Sequence, residues 1–516
     1  MSSSPAEGAG PGVALGTAAG RWVLLATVLG SGMAMLDATV VTIALPAIGA
    51  DLGGGLMTLQ WVMNGYTLTL AAFLLLGGSL GDVLGRRRVF VVGALGFAAA
   101  SLLCAVAPTA PLLVGGRLLQ GVAGALLTPG SLAILSASFS GEDRAAAIGA
   151  WSGFGGLAGA LGPFVGGYLI DAMSWRWIFL LHVPLAIVIV AVALRHVPES
   201  RDAEAPPGID VAGATLAAVA LGALTYGLID AGANGATPLV QGCLLVALLG
   251  SAAFLWWERR SPHPMLQLRV FSSSRFTGTN IVTLVVYAAV STVFLLLILQ
   301  LQLVAGFGPL ASGAALLPIT ALMLVGSARV GGAASRLGPR PFMTVGPVVA
   351  AAGLLLLLGV GPGSGWWSDV LPGVLVFGAG LTLTVAPLTA AVLTSAPASH
   401  AGVASGVNNA VARTAGLVAV AVLPLVAGLD DDSYRDPALF DRGFDRGMVA
   451  AALLLVCGGV LSALLVGGRE PHEPRPEESR YCCPVDGPTM LPDDVPVGSA
   501  PGHGPGRSRG SAAGSA

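Results

Sequence analysis

Residues 36–46 read Leu-Asp-Ala-Thr-Val-Val-Thr-Ile-Ala-Leu-Pro, and Asp37 is the only charge between Arg21 and Asp51. The apolar run from Trp22 to Leu45, at ~1.5 Å per residue, can cross a ~30 Å hydrocarbon core. A carboxylate there lies roughly two-thirds of the way through, and an ionisable group at such depth is costly and points to function. A second charge, Arg117, sits in another apolar run. With Gln120, Gly121, Gly124 and Thr128 it shares one helical face. The two charges fall at similar depths, about eight and about five residues below the same end of their spans. Buried charges need partners, so Asp37 and Arg117 are expected to approach each other. Desolvation and a nearby guanidinium act in opposite senses on a carboxyl's hold on its proton. The chemistry on offer is therefore proton binding and release. A static ion pair that fixes helix packing is the competing reading.

The rest of the composition says what carries these charges. The chain has 516 residues, 54% hydrophobic and 10% charged, with mean hydropathy +0.82; soluble proteins carry roughly 25% charged residues. The fold class expected is an all-α integral membrane protein. A net charge of −2 indicates no nucleic-acid partner, and all 25 basic residues are arginine. Without lysine there is no Walker A loop and no Schiff-base chemistry. No ATP motor is expected in the chain, and no ATPase subunit is required. The five cysteines show no metal or redox spacing, and no cofactor is expected. Residues 1–20 lack a cleavable signal pattern, which leaves the first span to direct insertion.

Fourteen spans are predicted, near 22–45, 58–80, 88–107, 112–137, 146–170, 177–194, 210–230, 239–257, 276–303, 310–330, 341–360, 369–393, 403–427 and 447–467. Lipid leaves backbone groups no external partner, so these are helices. Arginines crowd one set of alternate loops, from Arg21 and Arg86–Arg88 to Arg336 and Arg340, while the opposite loops hold Arg176, Arg435, Arg442 and Arg446. The positive-inside rule puts the first set and both termini in the cytoplasm, with the protein in the cell membrane. Gly78–Arg87 and Gly331–Arg340 repeat the same glycine and arginine spacing. Such duplication marks transporters made of two halves about a midplane site. The expected organisation is a tail at 1–20, a six-helix bundle at 21–195, and an inserted pair with flanking loops at 196–275. A second six-helix bundle at 276–467 and a disordered tail at 468–516 follow.

Several ordered motifs sharpen this. They are Leu36-Asp37-x-Thr39-Val40-Val41-x-x-Ala44-Leu45-Pro46, Gly78-x-Leu80-x-Asp82-x-x-Gly85-Arg86-Arg87, and Arg117-x-x-Gln120-Gly121-x-x-Gly124. Gly153 through Gly162-Pro163-x-x-Gly166-Gly167, Trp175-Arg-Trp-Ile-Phe179 with Pro184, and His400-Ala-Gly402-x-Ala-Ser405-Gly406-x-x-Asn409 with Arg413 complete the set. Together they resemble the major facilitator superfamily, specifically its fourteen-span drug:proton antiporters of the EmrB/QacA type. The match covers residues from about 20 to 467. Thr42 stands where that family has asparagine, and Val83 where it has arginine. The resemblance implies two six-helix bundles plus two inserted helices. It also implies proton-coupled export of amphipathic organic compounds such as drugs or antibiotics by alternating access. It assigns proton coupling to Asp37 and Arg117 and gating to Asp82, Gly85, Arg86, Gly162 and Pro163. Asp82 is expected to meet the start of span thirteen.

Small residues at four-residue spacing, such as Gly155, Gly159, Gly162 and Gly166, make a helix-contact face in lipid. A cargo pocket needs apolar walls with a few polar groups. The candidates are Trp61, Asn64, Tyr66, Gln120, Trp151, Asn280, Tyr287, Gln300, Gln302, Thr384, Asn408 and Arg413. Arg413 has two readings, a ligand for an anionic group or a structural pair. His182 could titrate, but a single histidine near a helix's outer end is read as bland, and Asp171, Asp210, Asp230 and Glu258 as interfacial. A dedicated exporter of one endogenous metabolite is the alternative function. A membrane-embedded enzyme would need a catalytic cluster that the spans do not offer, and a monomer is expected.

Overall fold

The structure is a computed structural model that describes residues 13–202, 208–395 and 401–466. The calls on residues 1–12, His400, and the tail with Cys482 and Cys483 lie outside the described residues. Among those described there is no strand, and 14 helices are long and apolar enough to cross a membrane. They are α1 Ala18–Leu52, α2 Leu56–Leu84, α3 Arg86–Ala105, α4 Ala110–Ser138, α5 Gly141–Ala172, α6 Arg176–His196 and α7 Val211–Asn234. After these come α8 Pro238–Glu258, α9 Ser274–Leu303, α10 Pro309–Leu337, α11 Arg340–Gly359, α12 Trp366–Thr394, α13 Ala401–Ala427 and α14 Pro437–Leu465.

Several helices outrun the hydropathy signal because capping, not apolarity, sets their ends. Thr17 Oγ1 accepts from Gly20 N at 3.1 Å and starts α1 at Ala18. Asp436 Oδ1 accepts from Ala438 N at 2.9 Å, with Pro437 in the first turn. As a result α14 begins well before residue 447, and Asp441, Arg442, Asp445 and Arg446 ride on its first turns.

In the first half of the chain α4 packs on α2 and α3, and α1 on α5. In the second half α11 packs on α12 and α14, α9 on α13 and α14, and α10 on α12. The pair α7–α8 packs on itself, and only α7 of the two is held closely, against α2 and α13. The repeated motif is visible as a repeated turn. Gly85 ends α2 at φ 115° and Gly338 ends α10 at φ 88°, left-handed conformations that glycine adopts without a Cβ penalty. A Cβ at Gly85 would also strike the Glu199 carboxylate, which accepts from Arg87 N at 3.1 Å.

One end of the bundle, the end opposite these arginine-rich turns, is tied across the two halves. Gln60 Nε2 donates to Val420 O at 2.5 Å, Gln302 Nε2 to Ile43 O at 3.1 Å, and Leu310 N to Asp171 Oδ2 at 3.1 Å. Tyr434, between α13 and α14, lies against Gly49. Burial pushes its phenol up to about 12, so it stays neutral there.

Candidate functional site

Asp37 and Arg117 meet. Arg117 Nη1 donates to Asp37 Oδ2 at 2.6 Å, and the two side chains are 0% and 2% exposed. Burial this complete leaves no water to compensate either charge, so every polar atom must find protein. The remaining contacts supply it. Arg117 Nη1 also donates to Gln120 Oε1 at 2.7 Å, and Arg117 Nε to Val62 O at 3.0 Å. Gln120 Nε2 donates to Asp37 Oδ1 and to Ser101 Oγ, both at 2.9 Å. The guanidinium lies over the Tyr66 ring, 4.6 Å from its centroid, an arrangement that stabilises a desolvated cation. Gln120 and Arg117 are one turn apart on α4, so one helix delivers both arms of the clamp to α1. Close approach of α2 and α4 makes the cage possible, since a Cβ at Gly121 would overlap the Tyr66 carbonyl.

Gln120 and Tyr66 were candidate cargo ligands. Gln120 has its amide oxygen and nitrogen engaged by Arg117, Asp37 and Ser101, and Tyr66 forms the floor under the guanidinium. Both belong to the ion-pair cage. Sequence reasoning did not name Ser101 or Val62. Ser101 left a faint signal as a lone hydroxyl in the apolar α3. The Val62 carbonyl left none.

Across the bundle, Asn408 Nδ2 donates to Thr283 Oγ1 at 2.8 Å and to Asn280 Oδ1 at 3.1 Å, which ties α13 to α9. Arg413, farther along α13, is half-buried. Among the described residues it has no hydrogen bond or ion pair, and it lies within electrostatic reach of Tyr66 and Tyr287. It therefore faces the space between the two halves. Asn64 on α2 is buried, and its amide nitrogen has no hydrogen-bond partner. Trp61 turns away from the ion pair toward Tyr226 of α7, with ring centroids 6.1 Å apart. Trp151 Nε1 donates to Ser31 Oγ at 2.9 Å and joins α5 to α1.

The fold and this geometry have counterparts. Residues 27–421 match the family model described as Major Facilitator Superfamily. The chain belongs to the major facilitator superfamily. It is 37% identical to the probable actinorhodin transporter of Streptomyces coelicolor, over 81% of this chain and 75% of the relative. It is 36% identical to the tetracenomycin C resistance and export protein of Streptomyces glaucescens, over 80% and 77%. It is 33% identical to the multidrug efflux pump LfrA of Mycolicibacterium smegmatis, over 78% and 80%. A crystal structure of a D-xylose-proton symporter aligns with TM-score 0.62 at 13% identity, covering 87% of this chain and 98% of that one. At that identity the likeness concerns the fold alone. The chain is thus a multi-pass membrane protein of a transporter superfamily, not an enzyme.

Two superfamily-type elements frame the ion pair. In the α2–α3 turn, Arg86 Nη2 sits 2.8 Å from Asp82 Oδ1. Asp82 is engaged within its own turn, and no hydrogen bond or ion pair from its side chain to α13 is present among the described residues. The α5 seam is closed over only part of its length. A Cβ at Gly162 would overlap Thr39 Oγ1, and one at Gly166 would lie 2.7 Å from Val40 Cγ1. The Pro163 carbonyl meets Gly313 of α10. Among the described residues a Cβ at Gly155 would meet only Met35 Sδ, at 3.9 Å, and one at Gly149, Gly153, Gly159, Gly331 or Gly332 would meet nothing within 4 Å. Glycine faces on α5 and α10 are therefore zipped at one end and bare toward the arginine-rich end. Arg329 of α10, which the sequence reading passed over, is exposed and reaches the carbonyl of Val325 at 3.0 Å. Gln300 joins Asp441 and Val360 at 2.5 and 2.6 Å. With Gln302 it serves the closed end, away from the ion pair.

Proposed function

We propose that this protein is a proton-coupled antiporter that exports amphipathic organic compounds, drugs or antibiotics among them, by alternating access. The observation that carries the proposal is the Asp37–Arg117 pair, sealed from water inside α1 and α4. Protonating Asp37 removes the negative partner and leaves Arg117 buried and uncompensated. Breaking such a pair costs roughly 3–5 kcal/mol. A proton crossing 100 mV delivers ~2.3 kcal/mol, and each pH unit adds ~1.4 kcal/mol. The two magnitudes are comparable, so proton entry down the gradient is matched to the task of opening the cage.

The cross-half ties at one end and the bare glycines at the other fit a state open toward the arginine-rich end. We place that end and both termini in the cytoplasm. Cargo would enter there while Asp37 is ionised, and proton uptake from outside would follow the switch. Arg413 and Arg329 have no carboxylate partners among the described residues, and charge in a span belongs on its water-filled side. On this reading Arg413 gives the cleft a cation without a carboxylate partner. That favours neutral or acidic amphiphiles over polycations.

The names of the relatives support export of organic compounds and keep a second reading open. Two of the three name a single compound and one names multidrug efflux. A dedicated exporter of one metabolite would use the same machinery. A susceptibility panel in a pump-deficient host, with wild type beside Asp37→Asn, tests both. Resistance to several unrelated compounds that disappears in the variant supports broad efflux, and resistance to one compound supports the dedicated exporter. Full resistance in Asp37→Asn would remove the mechanism.

A further inference from the structure

A cavity of about 390 Å³ lies away from the ion pair, between the inserted pair α7–α8 and the helices α2, α9 and α13. Its walls include Ala217 and Leu221 of α7, Phe254 of α8 and Ala410 of α13, with Leu266 and Phe271 from the segment joining α8 to α9. On α2 it touches Ala71, Ala72 and Leu75. At 3.6 residues per turn Ala71 and Leu75 turn away from Tyr66 and Thr69, which face α4, while Ala72 lies on the Gly65 side of the helix two turns along. Leu75 also approaches Gly406 of α13, 3.3 Å from where its Cβ would be.

The walls are mostly apolar, and of their four polar side chains, Ser251, Thr277, Asn280 and Thr414, two are already engaged. Asn280 donates to Phe276 O at 2.9 Å and accepts from Asn408, and Thr277 donates to Phe271 O at 2.9 Å. A cargo pocket pairs apolar walls with free polar groups, and this one is closer to a slot for hydrocarbon. The segment that floors it carries charge of one sign. Residues 259–275 contain Arg259, Arg260, Arg269 and Arg275 and no acid. Arg259, Arg260 and Arg269 are exposed. Glu258 is buried and accepts from Leu266 N at 3.0 Å, which holds the segment over the cavity. Basic clusters beside interhelical pockets on the cytoplasmic side suit anionic headgroups.

We propose that this cavity holds an acyl chain of an anionic phospholipid of the inner leaflet, with its headgroup on Arg259, Arg260 and Arg269. The acyl chain passes from one hydrocarbon surrounding to another, so close packing holds it, and the arginines supply the selectivity. Because the chain would contact α7, α8, α2 and α13 together, it would fasten the inserted pair, of which α8 packs closely on α7, to both halves.

The test is native mass spectrometry of the delipidated full chain titrated with phosphatidylglycerol or phosphatidylcholine. Wild type should prefer phosphatidylglycerol. Each Arg→Gln change at 259, 260 or 269 should weaken that preference about fivefold, and the triple variant should bind the two lipids alike. Ala217→Phe should abolish retention of either lipid, and Ala410→Leu provides a second filling change should the first fail to fold. Equal binding of both lipids by wild type, or undiminished binding by a folded cavity-filled variant, would overturn the proposal. Loss of rhodamine 6G binding in Ala217→Phe would overturn it too, by assigning the cavity to cargo.

Discussion

Arg117 and Arg413 are both arginines within membrane spans, yet their surroundings differ at every point. Arg117 is 2% exposed and held by a carboxylate, an amide, a backbone carbonyl and an aromatic face. Arg413 is half-buried, with no hydrogen bond or ion pair among the described residues. A caged cation resists change until its counter-charge is removed, which is the property required of a proton-driven latch. An uncaged cation is free to meet an incoming group, which is the property required of a binding surface. Under the proposed antiport the difference assigns coupling to α1 and α4 and cargo contact to α13.

Removing Arg117 should produce the largest effect. Arg117→Gln leaves Asp37 buried with Gln120 as its remaining partner, at a cost of roughly 3–5 kcal/mol. The expected outcome is a sharp fall in folded yield and melting temperature, read by fluorescence-detected size exclusion. Asp37→Asn should cost an amount at the lower end of the same range, because Arg117 keeps Val62 O, Gln120 and the Tyr66 ring. That variant should fold, retain cargo binding, and lose proton-driven transport in vesicles. The double variant Asp37→Asn/Arg117→Gln should regain stability and stay inactive. An active double variant would show that the pair serves packing alone.

Arg413→Gln sharpens the other side of the comparison. No partner is orphaned, so stability should stay within about 0.5 kcal/mol of wild type. Hydrogen bonds to a charged group contribute about 1.5–3 kcal/mol, so affinity for acidic cargo should fall roughly 10- to 100-fold, with neutral cargo little changed. Binding titrations against a matched acid and its methyl ester measure this. A large loss of stability with unchanged affinity would make Arg413 a structural residue and erase the contrast.

The ion pair was legible in the sequence because charges inside the spans are so sparse that few partners were available. The turn glycines Gly85 and Gly338 were legible for a similar reason, as spacing repeated beside arginines. What escaped depends on how each helix is rotated about its own axis. Trp61 and Tyr66 lie on the same apolar α2, and nothing in its pattern says that one meets α7 and the other Arg117. Gln120 looked like a free amide until Ser101 of α3 was brought beside it. The early start of α14 was hidden because Asp441, Arg442, Asp445 and Arg446 depress hydropathy where a cap and a proline begin the helix.

The smallest effects should come from the neutral members of each site. Asn408→Ala removes two hydrogen bonds that tie α13 to α9, each contributing about 0.5–1.5 kcal/mol. Melting temperature should drop while cargo affinity holds, because the Asn408 amide nitrogen already serves Thr283 and Asn280. Reduced affinity at unchanged stability would instead return Asn408 to the cargo surface. Ser101→Ala takes one acceptor from Gln120 Nε2, which keeps Asp37 Oδ1 at 2.9 Å. A stability loss of about 1 kcal/mol with normal proton coupling is expected, since the carboxylate and guanidinium remain in contact. If Ser101→Ala also shifts the pH dependence of transport, the serine helps set the orientation of Gln120 and so the release of the proton, and the latch extends from α1 and α4 into α3.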